Sequence, residues 1–133
     1  MKQLLARLRE NELVAILTDQ NAGPEGLTLD FMGFPASHWR GAAKIALRYQ
    51  VPIVPAFALR TPEGGIRICF EPMLHFPGLA DSEENYRFVL KKLNAVTERY
   101  INRHPEQWLW LHRRWKQTGL MRPRRHQADE EQI

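Results

Sequence analysis

Residues 105–116, Pro-Glu-Gln-Trp-Leu-Trp-Leu-His-Arg-Arg-Trp-Lys, constrain the fold more than any other stretch of the chain. Trp108, Trp110 and Trp115 fall within eight positions and are threaded through His112, Arg113, Arg114 and Lys116. Tryptophan buries a large apolar area yet keeps one N–H that wants a partner, so it favours half-dry, half-wet places. Arginine supplies a planar fork of donors suited to phosphate and carboxylate. Two readings follow. The segment seats an anionic, partly greasy ligand, or it is a terminal helix with its tryptophans packed inward and its arginines solvated.

Composition bounds what surrounds it. A chain of 133 residues is expected to form one domain with a modest core. Hydrophobic content of 44% and charge of 26% are those of an ordinary globular chain. The longest apolar stretch, 51–59, holds two prolines and is far too short to span a bilayer. Met1 leads into Lys2, Arg7, Arg9 and Glu10 without an apolar run, so no signal peptide is expected. The single Cys69 rules out an internal disulfide framework and suits a reducing compartment. With scattered histidines beside it, there is no structural zinc pattern.

The net charge of +4 is unevenly spread. Arg113, Arg114, Lys116, Arg122, Arg124 and Arg125 crowd the last quarter, ahead of Asp129, Glu130 and Glu131. Such a basic cluster adsorbs to an anionic bilayer at about 1 kcal/mol per residue near the surface, or coats nucleic-acid phosphates. A solvated tail after Gly119 is the simpler expectation for Arg122 to Arg125, given Pro123 and the charge run that follows.

The apolar spacing predicts alternating helices and strands. Leu4, Leu5 and Leu8 make residues 2–9 a short amphipathic helix. The compact apolar run 13–17 is expected as a buried strand, and the glycines and proline of 21–26 as a loop. Residues 27–31 alternate as a brief strand. Residues 37–49 carry Trp39, Ala42, Ala43, Ala46 and Tyr49 at helical spacing, with Ser37 as N-cap. A second buried strand is expected at 51–59, although Pro52 and Pro55 each remove a ladder donor. Residues 61–65 form a turn and 66–70 its antiparallel partner. The clearest helix is opened by Ser82, runs through Tyr86, Val89, Leu90, Leu93, Val96, Tyr100 and Ile101, and stops before Pro105.

Four segments together resemble a known family. Leu17-Thr18-Asp19-Gln20-Asn21, then Asp30-Phe31-Met32-Gly33-Phe34-Pro35-Ala36, then Val51-Pro52-Ile53-Val54-Pro55, and finally PEQWLWLHRRWK occur in this order. In that order and register they resemble the bacterial lipid A biosynthesis acyltransferases, the lauroyl/myristoyl transferases of the lysophospholipid acyltransferase superfamily. The likeness runs from about Leu4 to Lys116. It implies an α/β fold, a partial glycerolipid-acyltransferase-like sheet flanked by helices, in a single incomplete domain at 1–118 followed by a polar tail at 119–133.

The resemblance also implies a reaction. In that family a fatty acyl group leaves a thioester on acyl carrier protein and lands on a hydroxyl of a phosphorylated glycolipid, the lipid A precursor. A histidine takes the hydroxyl proton and an acidic partner supports it, in a HxxxxD or HxxxxE motif. The motif lies N-terminal to the Asp-Gln segment, but only nineteen residues precede Gln20 here and none is histidine. The lone match, His126 with Glu131, sits in the polar tail and is a coincidence of composition. The expectation is therefore the C-terminal half of an acyltransferase without its catalytic base. Such a half would leave a sheet edge and an apolar face uncovered, and so self-associate.

No catalytic residue is assigned, and no cofactor or metal is implied. Donor and acceptor are both polyanionic, so arginines near the cleft are expected. Asp19 and Gln20 stand where the superfamily has its acceptor-binding acidic motif. That motif usually reads Glu-Gly and then Arg, which is not the sequence here. Asp19 otherwise caps a strand end or accepts loop N–H groups. Arg60 leaves the proline-bearing strand beside the turn and is placed either to meet a phosphate or to lie solvated. Arg113 and Arg114 are candidates for gripping substrate phosphates. His112 is a candidate substrate contact too, but no nearby carboxylate orients it as a base, and a satisfied, hydrogen-bonding structural histidine is the simpler expectation. The expected partners are acyl carrier protein, the lipid A precursor and the cytoplasmic face of the inner membrane, with the protein peripheral there. A half-domain that binds acyl carrier protein or anionic lipid without turnover is the alternative. A nucleic-acid binder stacking bases on Trp110 and Trp115 is disfavoured, because no nucleic-acid motif accompanies them.

Overall fold

The computed structural model describes residues 2–116; the polar tail, with Arg122, Arg124, Arg125 and the His126–Glu131 pair, lies outside them. Three helices and two separate two-stranded antiparallel sheets make a mixed α/β domain. α1 spans Lys2–Arg9. β1 (Leu27–Phe31) and β2 (Phe34–His38) form the first hairpin. α2 (Gly41–Tyr49) follows, then β3 (Ala56–Arg60) and β4 (Ile66–Phe70) as the second hairpin, and α3 (Glu83–Arg103).

The first hairpin closes through Met32 and Gly33, at φ 56° and 80°. Positive φ at both central residues is the turn whose twist matches that of paired strands. Strict alternation then turns Leu27, Leu29 and Phe31 inward. α3 meets them with a matching stripe: Tyr86, Val89, Leu90 and Leu93 recur at helical spacing and are buried. Together with Ala43 and Leu47 of α2 they form the main core. Ser82 caps α3 by accepting the Asn85 N–H at 3.4 Å. A second, aromatic cluster lies at the far end of β1, where Phe31, Ala36 and Ile101 pack with Met32, Trp108 and Trp115.

Four expectations need correction. Residues 13–17 form no strand; they run unpaired, with Leu13 98% and Leu17 83% exposed. The apolar run is there, but no described residue offers it a ladder. Ser37 caps nothing. It lies within β2, buried, and its Oγ donates to the Gly23 carbonyl at 2.5 Å, while the helix starts four residues later at Gly41. Pairing of β2 with β1 supplies backbone bonds that an early helical turn would forfeit. The strand expected at 51–59 begins only at Ala56, because Pro52 and Pro55 have no N–H to give; before it, Ile53 makes a lone bridge to Leu74. Among the described residues the tryptophan segment is no α-helix: it opens with a 3-10 turn, Pro105–Gln107, and continues as irregular turns through Trp115.

Candidate functional site

The irregular segment after Pro105–Gln107 works as a strap across the first hairpin. Trp115 Nε1 donates to the Phe31 carbonyl at 3.1 Å, and its ring stacks on Phe31 with centroids 6.0 Å apart. Trp108 packs against the same phenyl ring, also at 6.0 Å. A helix would have carried Trp108 and Trp115 on one face. The extended backbone at Trp108 (ψ 139°) instead lets each reach Phe31 from its own direction. Trp110 turns back locally, its Nε1 donating to the Pro105 carbonyl at 2.6 Å.

Arg114 is the residue that least resembles its expectation. Its side chain is 1% exposed. Nη1 donates to the Ser37 carbonyl at 2.5 Å, and the guanidinium lies 4.9 Å from the centroid of Phe31, a cation–π contact in a desolvated place. Burial pulls its pKa down to about 10, while the negative charge of Asp19 opposes that shift. The guanidinium therefore stays charged at neutral pH. Its observed partners are internal, so its contribution is to hold the hairpin and strap together.

The Asp19-Gln20-Asn21 loop is fastened to the same strap. Asn21 Nδ2 donates to the Arg114 carbonyl at 2.9 Å, and the Asn21 backbone N–H donates to His112 Nε2, also at 2.9 Å. That bond fixes His112 with Nε2 bare and the proton on Nδ1. Asn21 Oδ1 accepts the Gly23 N–H at 2.7 Å, an Asx turn that brings the loop round. Gly26 then passes so close to β2 that a Cβ there would sit 2.0 Å from Ser37 Oγ. Two of the four sequence motifs, far apart in the chain, thus meet at one place. The Asp30–Ala36 motif is the hairpin between them.

The six residues singled out from sequence do not form one site. Asp19 and Arg114 line a common cavity, and His112 braces the loop that carries Asp19. Gln20 and Arg113 are exposed on its outside. Arg60 is elsewhere: its backbone N–H and C=O are both taken by the Gln107 side-chain amide, at 2.7 and 3.2 Å, and its side chain is exposed at the end of β3. Beside it, Phe57, Leu59, Tyr100, His104, Gln107 and Trp108 enclose an open cleft of about 160 Å³.

Sequence reasoning passed over His38. It is 2% exposed, and its Nδ1 lies 2.9 Å from the Ala36 carbonyl. A carbonyl can only accept, so Nδ1 carries the proton. Burial first, and then the charge of Arg114, lower its pKa to about 4, against weaker polar contacts to Ala36, Leu27 and Asn94. His38 is neutral at pH 7. The sequence carried no signal for it, because residue 38 fell inside the stretch expected as a helix, whereas it ends β2.

Comparison with known proteins gives these contacts a context. The sequence matches the bacterial lipid A biosynthesis acyltransferases over residues 1–117. The chain belongs to that family. It is also 29% identical over 119 residues to the lipid A biosynthesis lauroyltransferase of Escherichia coli (strain K12), an alignment covering 87% of this chain and 38% of that relative. The chain thus spans well under half of the relative's length. No helix among the described residues is long and apolar enough to cross a membrane.

Proposed function

We propose that this chain serves acyl transfer in lipid A assembly, as the part of the acyltransferase that shapes and supports the acceptor side of the cleft. A fatty acyl group would leave acyl carrier protein for a hydroxyl of a phosphorylated glycolipid, at the cytoplasmic face of the inner membrane. The observation that supports this reading best is the joining of the Asp19-Gln20-Asn21 loop to the His112–Arg114 strap, in a chain of this family. By the resemblance the loop stands where the superfamily has its acceptor-binding motif, although its sequence departs from that motif, and its bonds to the strap hold it. Exposed Arg113 and Arg60 are suited to the phosphates of a polyanionic substrate. Buried Arg114 acts on the loop instead, through its carbonyl bond to Asn21 and its charge beside Asp19.

The base is a separate matter. No histidine precedes the Asp-Gln segment, so these residues do not provide the HxxxxD or HxxxxE pair that removes the acceptor proton. The chain alone should therefore bind without turnover, which makes the non-catalytic binding module a reading of the same surface. The test is to offer it fatty-acyl carrier protein and vesicles carrying the phosphorylated glycolipid, and to follow both binding and transfer. We expect salt-sensitive binding that weakens in R60A and R113A, with no acyl product. Transfer by the chain alone would overturn the missing-base argument. Failure to bind either substrate would overturn the functional reading.

A further inference from the structure

His38 and Arg114 line a small cavity between the first hairpin, α3 and the strap. It measures about 20 Å³ and is walled by Phe31, Leu90 and Leu93, with Thr18, Asp19, Asn94 and Thr97 around it. A polar cavity holds a water molecule above about 10–15 Å³. Two buried atoms of its lining residues, His38 Nε2 and Arg114 Nε, make no hydrogen bond among the described residues. Their polarities are opposite. Nδ1 of His38 is committed as a donor to Ala36, so Nε2 offers a bare lone pair, whereas Arg114 Nε offers an N–H.

We infer that this cavity binds one neutral hydroxyl group, of a water or a small alcohol, which accepts from Arg114 Nε and donates to His38 Nε2. An anion would suit the guanidinium but would face the imidazole lone pair. A cation would suit the lone pair but would face a guanidinium. An apolar group would leave both atoms unsatisfied in a dry place, which costs more than the bond gains elsewhere. A hydroxyl alone carries one donor and two acceptor sites in so small a volume. The bridge would tie the last residue of β2 to the strap through a third partner, next to the direct bond from Arg114 to Ser37. It rests on the buried cluster alone and stands or falls independently of the proposed reaction.

Nuclear magnetic resonance on the isotopically labelled wild-type chain tests this. The nitrogen shift of His38 Nε2 should be that of an unprotonated ring nitrogen. The His38 ring C–H protons and the Arg114 Nε–H should show cross-relaxation of the sign given by a long-lived bound hydroxyl. Persistence of the water cross-peaks under saturating methanol assigns the hydroxyl to water. Their replacement by cross-peaks from the methanol methyl group assigns it to a small alcohol. Either result supports the site. Absence of both, with the Arg114 Nε–H exchanging as fast as that of exposed Arg113, would overturn it. So would a protonated Nε2, or an Arg114 resonance that tracks added chloride. In a folded H38F variant the cross-peak at Arg114 should vanish, and its survival would remove His38 from the site.

Discussion

The molecule contains two hairpins of identical strand length that are used in opposite ways. In β1–β2, every second residue of β1 is buried, and the strands are fastened from outside by Arg114, Trp115 and Arg87, the last donating to the Thr28 carbonyl at 3.0 Å. In β3–β4 no residue of either strand is fully buried, and Ile66, Ile68 and Phe70 lie exposed on one face. Its ties lie at the surface: Phe57 stacks on Tyr100 at 3.8 Å, Glu71, just past β4, takes bonds from Arg99 and Tyr100, and the Gln107 amide bonds the backbone of Arg60. Equal backbone geometry therefore says little about what holds a hairpin. The first is buried under side chains arriving from 59 to 84 positions away, whereas the second is tied at its surface from 28 to 47 positions away.

Substitutions should separate the two hairpins clearly. The largest loss is expected at Phe31, which is 2% exposed and touches Trp108, Trp115, His38 and Arg114. Phe31→Ala should cost about 3–5 kcal/mol in urea unfolding, enough to abolish folding of a marginal domain. Arg114→Met comes next. It keeps the bulk while removing a charged hydrogen bond and the cation–π contact, so about 2–3 kcal/mol should go. A loss well under 1 kcal/mol would mean that the strap is held by its tryptophans and its bonds to Asn21 without the guanidinium.

Acid should act on the first hairpin through His38. His38 has a folded pKa of about 4, below the usual value of about 6.5. The unfolded chain then binds the proton more readily, so stability is complete above about pH 6.5 and falls as the pH drops toward 4. A loss on the order of 3 kcal/mol is expected across that window, at about 1.4 kcal/mol per unit, read by unfolding at successive pH values. H38F should flatten this dependence, and an unchanged profile would show that another group carries it. The smallest effect belongs to the second hairpin. Ile68→Ser, at a site 53% exposed, should change stability by no more than about 0.5 kcal/mol. A larger loss would show that this apolar face is covered in solution.

The same contrast explains what could be read from the residues. β1 was legible because Leu27, Leu29 and Phe31 alternate cleanly, and α3 because its apolar stripe and Ser82 cap agree. The β3–β4 hairpin was legible from the glycines of its turn. Residues 13–17 were misread because an apolar run specifies burial without naming a partner. Ser37 was misread because a small polar residue before an alanine-rich stretch looks like a cap, whereas its actual role depends on β1 and Gly23. The strap was beyond reach for the same reason. Its tryptophans and arginines have helical spacing, yet their partners are Phe31, Ser37 and Asn21, set by the tertiary fold. Among the candidate residues, the loop and strap were found as motifs. That they meet, and that Arg114 points inward with His38 beside it, needed coordinates.

Gln107 carries one further consequence. Its side-chain amide gives to and takes from the backbone of Arg60 as a peptide group would, at the end of β3. In effect a single side chain stands in for the next strand at that rung. A polypeptide adding itself along this border would have to evict the amide first or end its pairing one rung short. The glutamine is thus a stop on sheet growth, and replacing it with alanine would open the border by one more rung.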